Sequence, residues 1–162
     1  MSATFQFSES NGVGETETVP ITNLNFGSED SVNINTTSHP VIRGKNSFEK
    51  YIRAKFTSTY TEISNMKFWK SAGTLLTDEV IKAATNQAFV TPSATANADS
   101  AVPTTEGTAL TVQSAEGDAT IVYGASGVSG YTKYIRLQTS STVSTPTGAA
   151  NQKTFTFQYD EV

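Results

Sequence analysis

The sequence predicts an all-β protein, an antiparallel β-sandwich of about eight to ten short strands with long Ser/Thr-rich loops. Composition is the first reason, because threonine occurs 26 times and serine 18 times in 162 residues, whereas only 16% of residues are charged. Such a composition favours strands and turns over helices. Patterning is the second reason, because short alternating runs of apolar and polar residues are separated by turn signals. Jelly-roll and immunoglobulin-like topologies both fit this pattern.

The two clearest strands lie in the segment 46–70, which also holds many of the large side chains. In the first strand an inward apolar set alternates with an outward set: Ile52, Ala54 and Phe56 against Tyr51, Arg53, Lys55 and Thr57. In the second strand the same alternation recurs: Met66 and Phe68 inward, Lys67 and Trp69 outward. We therefore expect this segment to form the centre of the fold.

The chain is about one domain long, and a chain of this length buries roughly 70% of the surface that its unfolded form exposes. Residues 1–25 are polar and are predicted to form an N-terminal segment that extends as an arm. Residues 26–162 are predicted to form a single sandwich. Within the polar segment, Phe5 and Phe7 are spaced for one face of a short strand.

Several segments have weaker patterns. Short strands are expected at 31–35, 40–43 and 88–91. Residues 77–84 fit either a short helix or a strand, and the β-rich surroundings favour the strand. Residues 93–106 are small and polar, so burial cannot offset the entropy lost when they become ordered, and we predict an exposed loop.

The carboxyl-terminal part of the chain is predicted to be strand-rich. Residues 110–112 and 119–123 are expected to pair as a hairpin across a glycine-containing connection. Residues 154–159 alternate regularly, which predicts a final strand with three aromatic side chains facing inward: Phe155, Phe157 and Tyr159. This strand is expected to be part of a sheet.

The quartet Lys-Tyr-Ile-Arg occurs twice, at 50–53 and at 133–136, with the same inward and outward phase. Two core strands that meet the same packing demands explain the repeat, and we favour that interpretation over an internal duplication. In the second copy Ile135 is predicted to face inward together with Leu137.

The sequence offers few candidates for catalysis or metal binding. His39 is the single histidine and cysteine is absent, which excludes two-histidine sites, thiolate metal sites and a cysteine nucleophile. A Ser-His-Asp triad would have to use His39. The acid pairs lie in turn-like segments where carboxylates commonly cap the backbone: Glu29 with Asp30, and Glu116 with Asp118. We predict no catalytic residue, no cofactor, no metal site and no enzymatic activity.

Charge and hydropathy narrow the classes of partner. The net charge is −4 and the isoelectric point is about 4.9, so the chain lacks the basic field with which proteins neutralise nucleic-acid phosphates. No run approaches the ~20 apolar residues of a membrane span. We expect neither a nucleic-acid nor a membrane partner, and a chain made as a soluble cytosolic product.

The alternation also predicts an interaction surface of outward aromatic and cationic side chains: Tyr51, Arg53, Lys55, Trp69, Tyr134 and Arg136. Outward aromatic residues on a sandwich fit a sugar-stacking platform, a subunit interface, or coverage by a long loop. We favour coverage by a loop or by a subunit. The three cations would give this surface local positive charge on an acidic chain.

Several strand patterns resemble those of small β-sandwich structural proteins found in tailed-bacteriophage virions. The shared features are the stretches NLNFGS, FEKYIR, NMKFW, VTP and YDE, at 23–28, 48–53, 65–69, 90–92 and 159–161. The resemblance implies a virion component, a capsid decoration or cement protein that binds the major capsid protein or other virion proteins. It also implies a homo-oligomer located in the virion. A neck or tail accessory protein is the nearest alternative.

A second class of function also fits the sequence. The same sandwich is suited to a carbohydrate-binding or host-adhesion module in which Trp69 and the outward tyrosines stack against a sugar. In this alternative the outward aromatic residues bind a sugar, whereas in the virion role they pack against a loop or a subunit.

Overall fold

The computed structural model describes residues 3–57, 59–124, 130–147 and 151–162, and within them the chain is an all-β sandwich of two antiparallel sheets, as predicted. A short 3-10 helix, Glu106–Thr108, is the one helical element of the described part. The strands are β1 Thr4–Asn11, β2 Thr16–Thr18, β3 Lys50–Thr57, β4 Glu62–Ala72, β5 Glu79–Asn86, β6 Ser100–Ala101, β7 Leu110–Thr111, β8 Ile121–Val122, β9 Tyr134–Ser141 and β10 Thr154–Glu161.

The larger sheet has six strands in the order β2-β1-β3-β9-β5-β6, and the smaller has the order β10-β4-β7 with β8 also paired to β4. The inward sets predicted for the strands of 46–70 and for β9 are buried in one core between the sheets: Ile52, Ala54, Phe56, Met66, Phe68, Ile135 and Leu137. Those predictions are confirmed, because alternation reports which side of a strand faces the partner sheet.

The N-terminal segment belongs to the sandwich. Strand β1 pairs antiparallel with β3 from Thr4↔Thr57 to Ser10↔Tyr51, and β2 pairs with β1. Phe5 stacks against Phe157 of the opposite sheet with ring centroids 5.5 Å apart. The prediction that residues 1–25 extend from the domain as an arm is therefore wrong over β1 and β2, because burial of these aromatic rings stabilises the segment within the sheet.

The predicted hairpin of 110–112 and 119–123 is also wrong. Strands β7 and β8 form in these segments, but both pair with β4 along one edge. Residues 113–115 leave that edge and bond to 131–133, through Lys133 N to Gln113 O at 2.8 Å and Ala115 N to Tyr131 O at 2.9 Å. Thr132 N in turn donates to Ala54 O of β3 at 3.0 Å. Hydrogen bonds thus join the two sheets along this side.

Other segments correct the sequence reading in part. Of the segment 77–84, residues 79–84 form part of a strand, β5, as the β-rich surroundings favoured. Residues 31–35, 40–43 and 88–91 form no strand, because each runs over the surface and no neighbouring strand pairs with it. The predicted loop 93–106 contains the short strand β6 and the buried side chain of Val102, whose N–H bonds to β5.

The last strand, β10, lies antiparallel to β4. Its three inward aromatic residues are half-buried and pack against the core, as predicted: Phe155, Phe157 and Tyr159. Phe155 stacks on Phe68 with centroids 5.5 Å apart and planes 8° apart. Offset stacking of this kind adds to the free energy gained by burying the rings.

Candidate functional site

The two Lys-Tyr-Ile-Arg quartets lie side by side in the six-stranded sheet. Strands β3 and β9 are antiparallel neighbours, with Tyr51 opposite Arg136 and Ile52 opposite Ile135. Each tyrosine therefore lies near the arginine of the other quartet, on the face of the sheet that points away from the core. The repeat creates one local site from two distant parts of the chain.

The two tyrosines of this site are covered. Tyr51 is 0% exposed and Tyr134 is 6% exposed, although both point away from the core between the sheets. Phe89, in the connection after β5, contacts them with ring centroids 5.2 Å and 6.0 Å away. Coverage by a loop, the interpretation favoured from the sequence, applies to both rings, so neither forms part of an exposed surface.

Arg53 lies between two aromatic rings and a carboxylate. Its guanidinium is 4.1 Å from the ring centroid of Tyr131 and 4.6 Å from that of Tyr134, and its Nη2 is 3.3 Å from Glu17 Oε1. Burial raises the pKa of Glu17, but hydrogen bonds from Ser8 and Tyr131 and the charge of Arg53 outweigh it, so the net pKa is lowered. The positive charge of Arg53 is thereby neutralised within the protein.

Arg136 is paired in the same way. Its Nη2 is 2.5 Å from Asp99 Oδ1, its Nε is 2.8 Å from Asp99 Oδ2, and Glu49 Oε1 is 3.6 Å away. The fork of two hydrogen bonds to Asp99 raises the pKa of Arg136. Because Asp99 lies in the segment after Phe89, this ion pair also fixes the covering loop onto the sheet.

The two remaining predicted surface residues, Lys55 and Trp69, lie in different parts of the sandwich. Lys55 is half-buried, with its Nζ 5.0 Å from the ring centroid of Tyr131. Trp69 lies on β4 in the four-stranded sheet, opposite Thr156 of β10, and is half-buried. The six predicted residues therefore do not form one surface, because Trp69 and the other five point away from the core on opposite sides of the sandwich.

A cavity of about 430 Å³ lies beside the covered tyrosines. It combines one aromatic face with acidic, cationic and amide groups: Glu15, Arg53, Gln87, Phe89, Thr132 and Tyr134 contribute to its lining. The Tyr134 hydroxyl donates a hydrogen bond to the Glu15 carboxylate. The volume of this cavity is within the range of sites for small ligands.

A larger groove of about 1190 Å³ opens at one end of the sandwich. Its lining includes apolar side chains from both sheets, such as Phe7, Phe68 and Ile81. Ile42, at its rim, is 56% exposed, and Val143, 72% exposed, lies against the same turn, beside Gly44. Sequence reasoning missed this end because residues 40–43 were predicted to be a strand.

A buried polar cluster lies on the inner face of β1 and β3. Lys50 Nζ is 2.7 Å from Glu9 Oε1, and both side chains are essentially inaccessible to solvent. Asn11 donates to the same oxygen at 3.0 Å. The signal for this cluster was in the sequence, because Glu9 and Asn11 continue the alternation of Phe5 and Phe7, and Lys50 continues that of Ile52.

The described residues contain no group of three or more histidine, cysteine, aspartate or glutamate side chains arranged to hold a metal ion. His39 Nε2 is 3.2 Å from Glu29 Oε2 at an exposed position. None of the helical structure in the described ranges is long and apolar enough to cross a membrane.

Comparison with known proteins gave no relative: no family model, no curated protein and no solved structure matches this chain.

Proposed function

We propose that this chain is a non-enzymatic structural protein of a tailed-phage virion, a capsid decoration or cement protein that binds the major capsid protein of the assembled shell. The proposal starts from the resemblance of its strand motifs. Such a protein stabilises a shell by mass action, because it binds the assembled lattice better than it binds free subunits.

The observation that carries the proposal is an exposed patch at the grooved end, formed by Ile42, Arg43, Lys45 and Val143 and called the end patch below. Ile42 and Val143 are exposed aliphatic side chains. The turn at 42–45 is held against β9, because Ser141 N donates to Lys45 O at 3.2 Å. Exposed apolar side chains that cluster, rather than occur singly, mark protein-binding surfaces, and these two lie beside the same turn.

The charge of the end patch favours an acidic partner. Arg43 and Lys45 are exposed, and neither forms an ion pair with a described residue. By contrast, Arg53 and Arg136 of the quartets are already paired with carboxylates. We therefore assign attachment to the end patch rather than to the outward face of the quartets, and we expect an acidic, partly apolar surface on the shell protein.

The test is to measure attachment to purified particles of the source phage that lack this protein. Added wild-type protein should bind in a copy number comparable to that of the major shell protein, counted by quantitative mass spectrometry. An Ile42→Asp, Val143→Asp double variant should lose most of this binding. Val13→Asp is the control, because Val13 is an even more exposed aliphatic residue, at 90%, but lies in the β1–β2 turn.

Each alternative outcome has a defined meaning. A handful of copies per particle would favour a neck or tail accessory protein, and no binding would contradict the virion role. Equal binding by the double variant would contradict the assignment of attachment to the end patch. Urea unfolding of each variant controls for loss of fold.

The second candidate function, carbohydrate binding, is favoured by the cavity of about 430 Å³ beside Phe89. An aromatic face combined with Glu15 and Gln87 suits a sugar ring and its hydroxyls. Glycan-array binding that is lost in Gln87→Ala but kept in Trp69→Ala would support it, since Trp69 lies on the other sheet. Silence of the array with wild-type protein would count against it.

A further inference from the structure

The buried cluster of Glu9, Asn11 and Lys50 places an amine, a carboxylate and a carboxamide in one solvent-free site. Lys50 Nζ and Asn11 Nδ2 both donate to Glu9 Oε1, at 2.7 Å and 3.0 Å. Lys50 and Glu9 are fully buried and Asn11 is 7% exposed. Lys50 Nζ also donates to Ser31 O at 2.6 Å, so the buried ammonium is held by two acceptors within the protein.

The strands align these groups. The register pairs Glu9 with Ile52 and Ser10 with Tyr51, so Asn11 falls opposite Lys50 on the same inward face. Directly opposite side chains on antiparallel strands start from Cβ atoms only about 5 Å apart. Glu9, two residues before Asn11 on β1, lies on that face too and contacts both nitrogen atoms.

A second, independent observation is the state of the Asn11 carboxamide. Its Oδ1 is buried and accepts no hydrogen bond from any described residue. A buried acceptor without a donor is destabilising, because it has lost its hydrogen bonds to water and gained none within the protein. Its Nδ2 also donates to Asp30 Oδ1 at 3.0 Å. Glu9, which already contacts Nδ2 of this carboxamide, becomes a hydrogen-bond donor if it takes a proton from Lys50.

We propose that Lys50 and Asn11 form an intramolecular isopeptide bond with Glu9 as the proton carrier. Lys50 Nζ gives a proton to Glu9 Oε1 and its free electron pair attacks Cγ of Asn11. The new Nζ–Cγ bond forms as the Cγ–Nδ2 bond breaks. The departing nitrogen receives the two protons that Nζ has lost and leaves as ammonium, and Glu9 returns to a carboxylate. Ammonium and carboxamide become secondary amide and ammonium, so no oxidant, reductant or cofactor is needed.

The bond would join the neighbouring strands β1 and β3 covalently in a chain that has no cysteine. It would close a loop that contains the segment between residues 11 and 50. Cross-links of this kind stabilise mainly by restricting the unfolded chain. This inference rests on the cluster alone and is independent of the proposed virion role.

The test is the intact mass of the purified full chain under denaturing conditions. The expected mass is lower than the sequence mass by one ammonia. Trypsin should then yield one cross-linked species that joins the peptide ending at Arg43 to the peptide 46–53, uncleaved at Lys50. Both readouts use the wild-type protein, so the result does not depend on the folding of a variant.

Three results would overturn the proposal. The full sequence mass means that no bond forms. Loss of one water instead of one ammonia means that Lys50 is joined to a carboxylate such as Glu9. Loss of ammonia with the two peptides separate means that Asn11 has cyclised onto the backbone at Gly12, because a succinimide has the same mass.

Variants then test the roles of Lys50 and Glu9 separately. Lys50→Arg and Glu9→Gln should both show the full sequence mass, the first because it lacks the nucleophile and the second because it lacks the proton carrier. Lys70→Met is the matched control: Lys70 is also buried, but its Nζ donates to Gly73 O at 2.6 Å, so its loss should leave the ammonia deficit unchanged.

Discussion

Tyr134 illustrates how a residue predicted to be outward becomes part of the interior. Its side chain points away from the core between the sheets, yet Phe89 covers the ring and the hydroxyl donates to Glu15. The pKa of Tyr134 is raised to about 12, first by burial and then by its hydrogen bond to the carboxylate. A phenol in this setting stays neutral because its charged form would lack solvation beside a second negative charge.

The raised pKa predicts a loss of stability in alkali. An unfolded tyrosine has a pKa of about 10, so below that pH both states are protonated and the contribution of Tyr134 is complete. Between pH 10 and about 12 the unfolded state binds fewer protons, and the free energy of unfolding falls by up to about 3 kcal/mol. Urea unfolding at pH values below and above 10 measures this loss.

The control for this prediction is Tyr134→Phe, which should show a smaller alkaline loss than the wild type. Tyr51 and Tyr60 also have raised pKa values, both through burial, and they remain in the variant. The difference between the two proteins therefore isolates Tyr134. An identical pH dependence in both would contradict the assignment.

At the scale of elements, one glycine allows residues 152–153 to approach the end of β4 closely. Gly73 follows β4 and has φ +86°, a left-handed conformation that side chains other than glycine rarely adopt. A Cβ at this position would lie 2.7 Å from Lys153 Cα and closer still to Gln152 O. These atoms belong to the segment that leads into β10, so the neighbour is backbone and cannot rotate away.

We predict that Gly73→Ala lowers the free energy of unfolding by about 2 to 4 kcal/mol, from backbone strain and overpacking together. Gly107→Ala is the matched control, because no heavy atom lies within 4 Å of its added Cβ. The control should stay within about 0.5 kcal/mol of the wild type. Chemical denaturation measures both, and equal stability of the two variants would show that the close approach relaxes at no cost.

At the scale of the whole molecule, the sandwich depends on its last strand. Strand β10 forms one edge of the four-stranded sheet, and its aromatic side chains pack against rings from the other sheet: Phe5, Phe7 and Phe56 contact Phe157. The first strand is equally integral, since β1 lies between β2 and β3. Deleting residues 2–14 would therefore disrupt the fold. A loss of particle binding in such a variant would not show that these residues attach to the particle.

We predict that a chain ending at Lys153 does not fold. It loses the β4–β10 hydrogen bonds and exposes the rings that β10 covers, which removes more apolar burial than a marginally stable domain tolerates. Circular dichroism with urea unfolding should show no cooperative transition. Phe157→Leu, a smaller change in the same strand, should keep the transition, and a cooperative transition in the truncated chain would contradict the prediction.

The sequence by itself predicted the class of fold and the inward faces of the main strands. Ile52, Phe68 and Ile135 were placed correctly because alternation along a strand is a local property, visible in a few consecutive residues. The same local rule extends to Glu9 and Lys50, whose inward phase was readable, although their contact was not.

Only the tertiary structure decided what covers the outward faces and which residues meet. Phe89 lies far along the chain from Tyr51, Trp69 is on the sheet opposite to the quartets, and β7 and β8 pair with β4 instead of with each other. These outcomes depend on contacts between distant segments, whose free energies no local pattern of residues encodes. Alternation therefore predicts that a side chain points away from the core between the sheets, but not whether another part of the chain covers it.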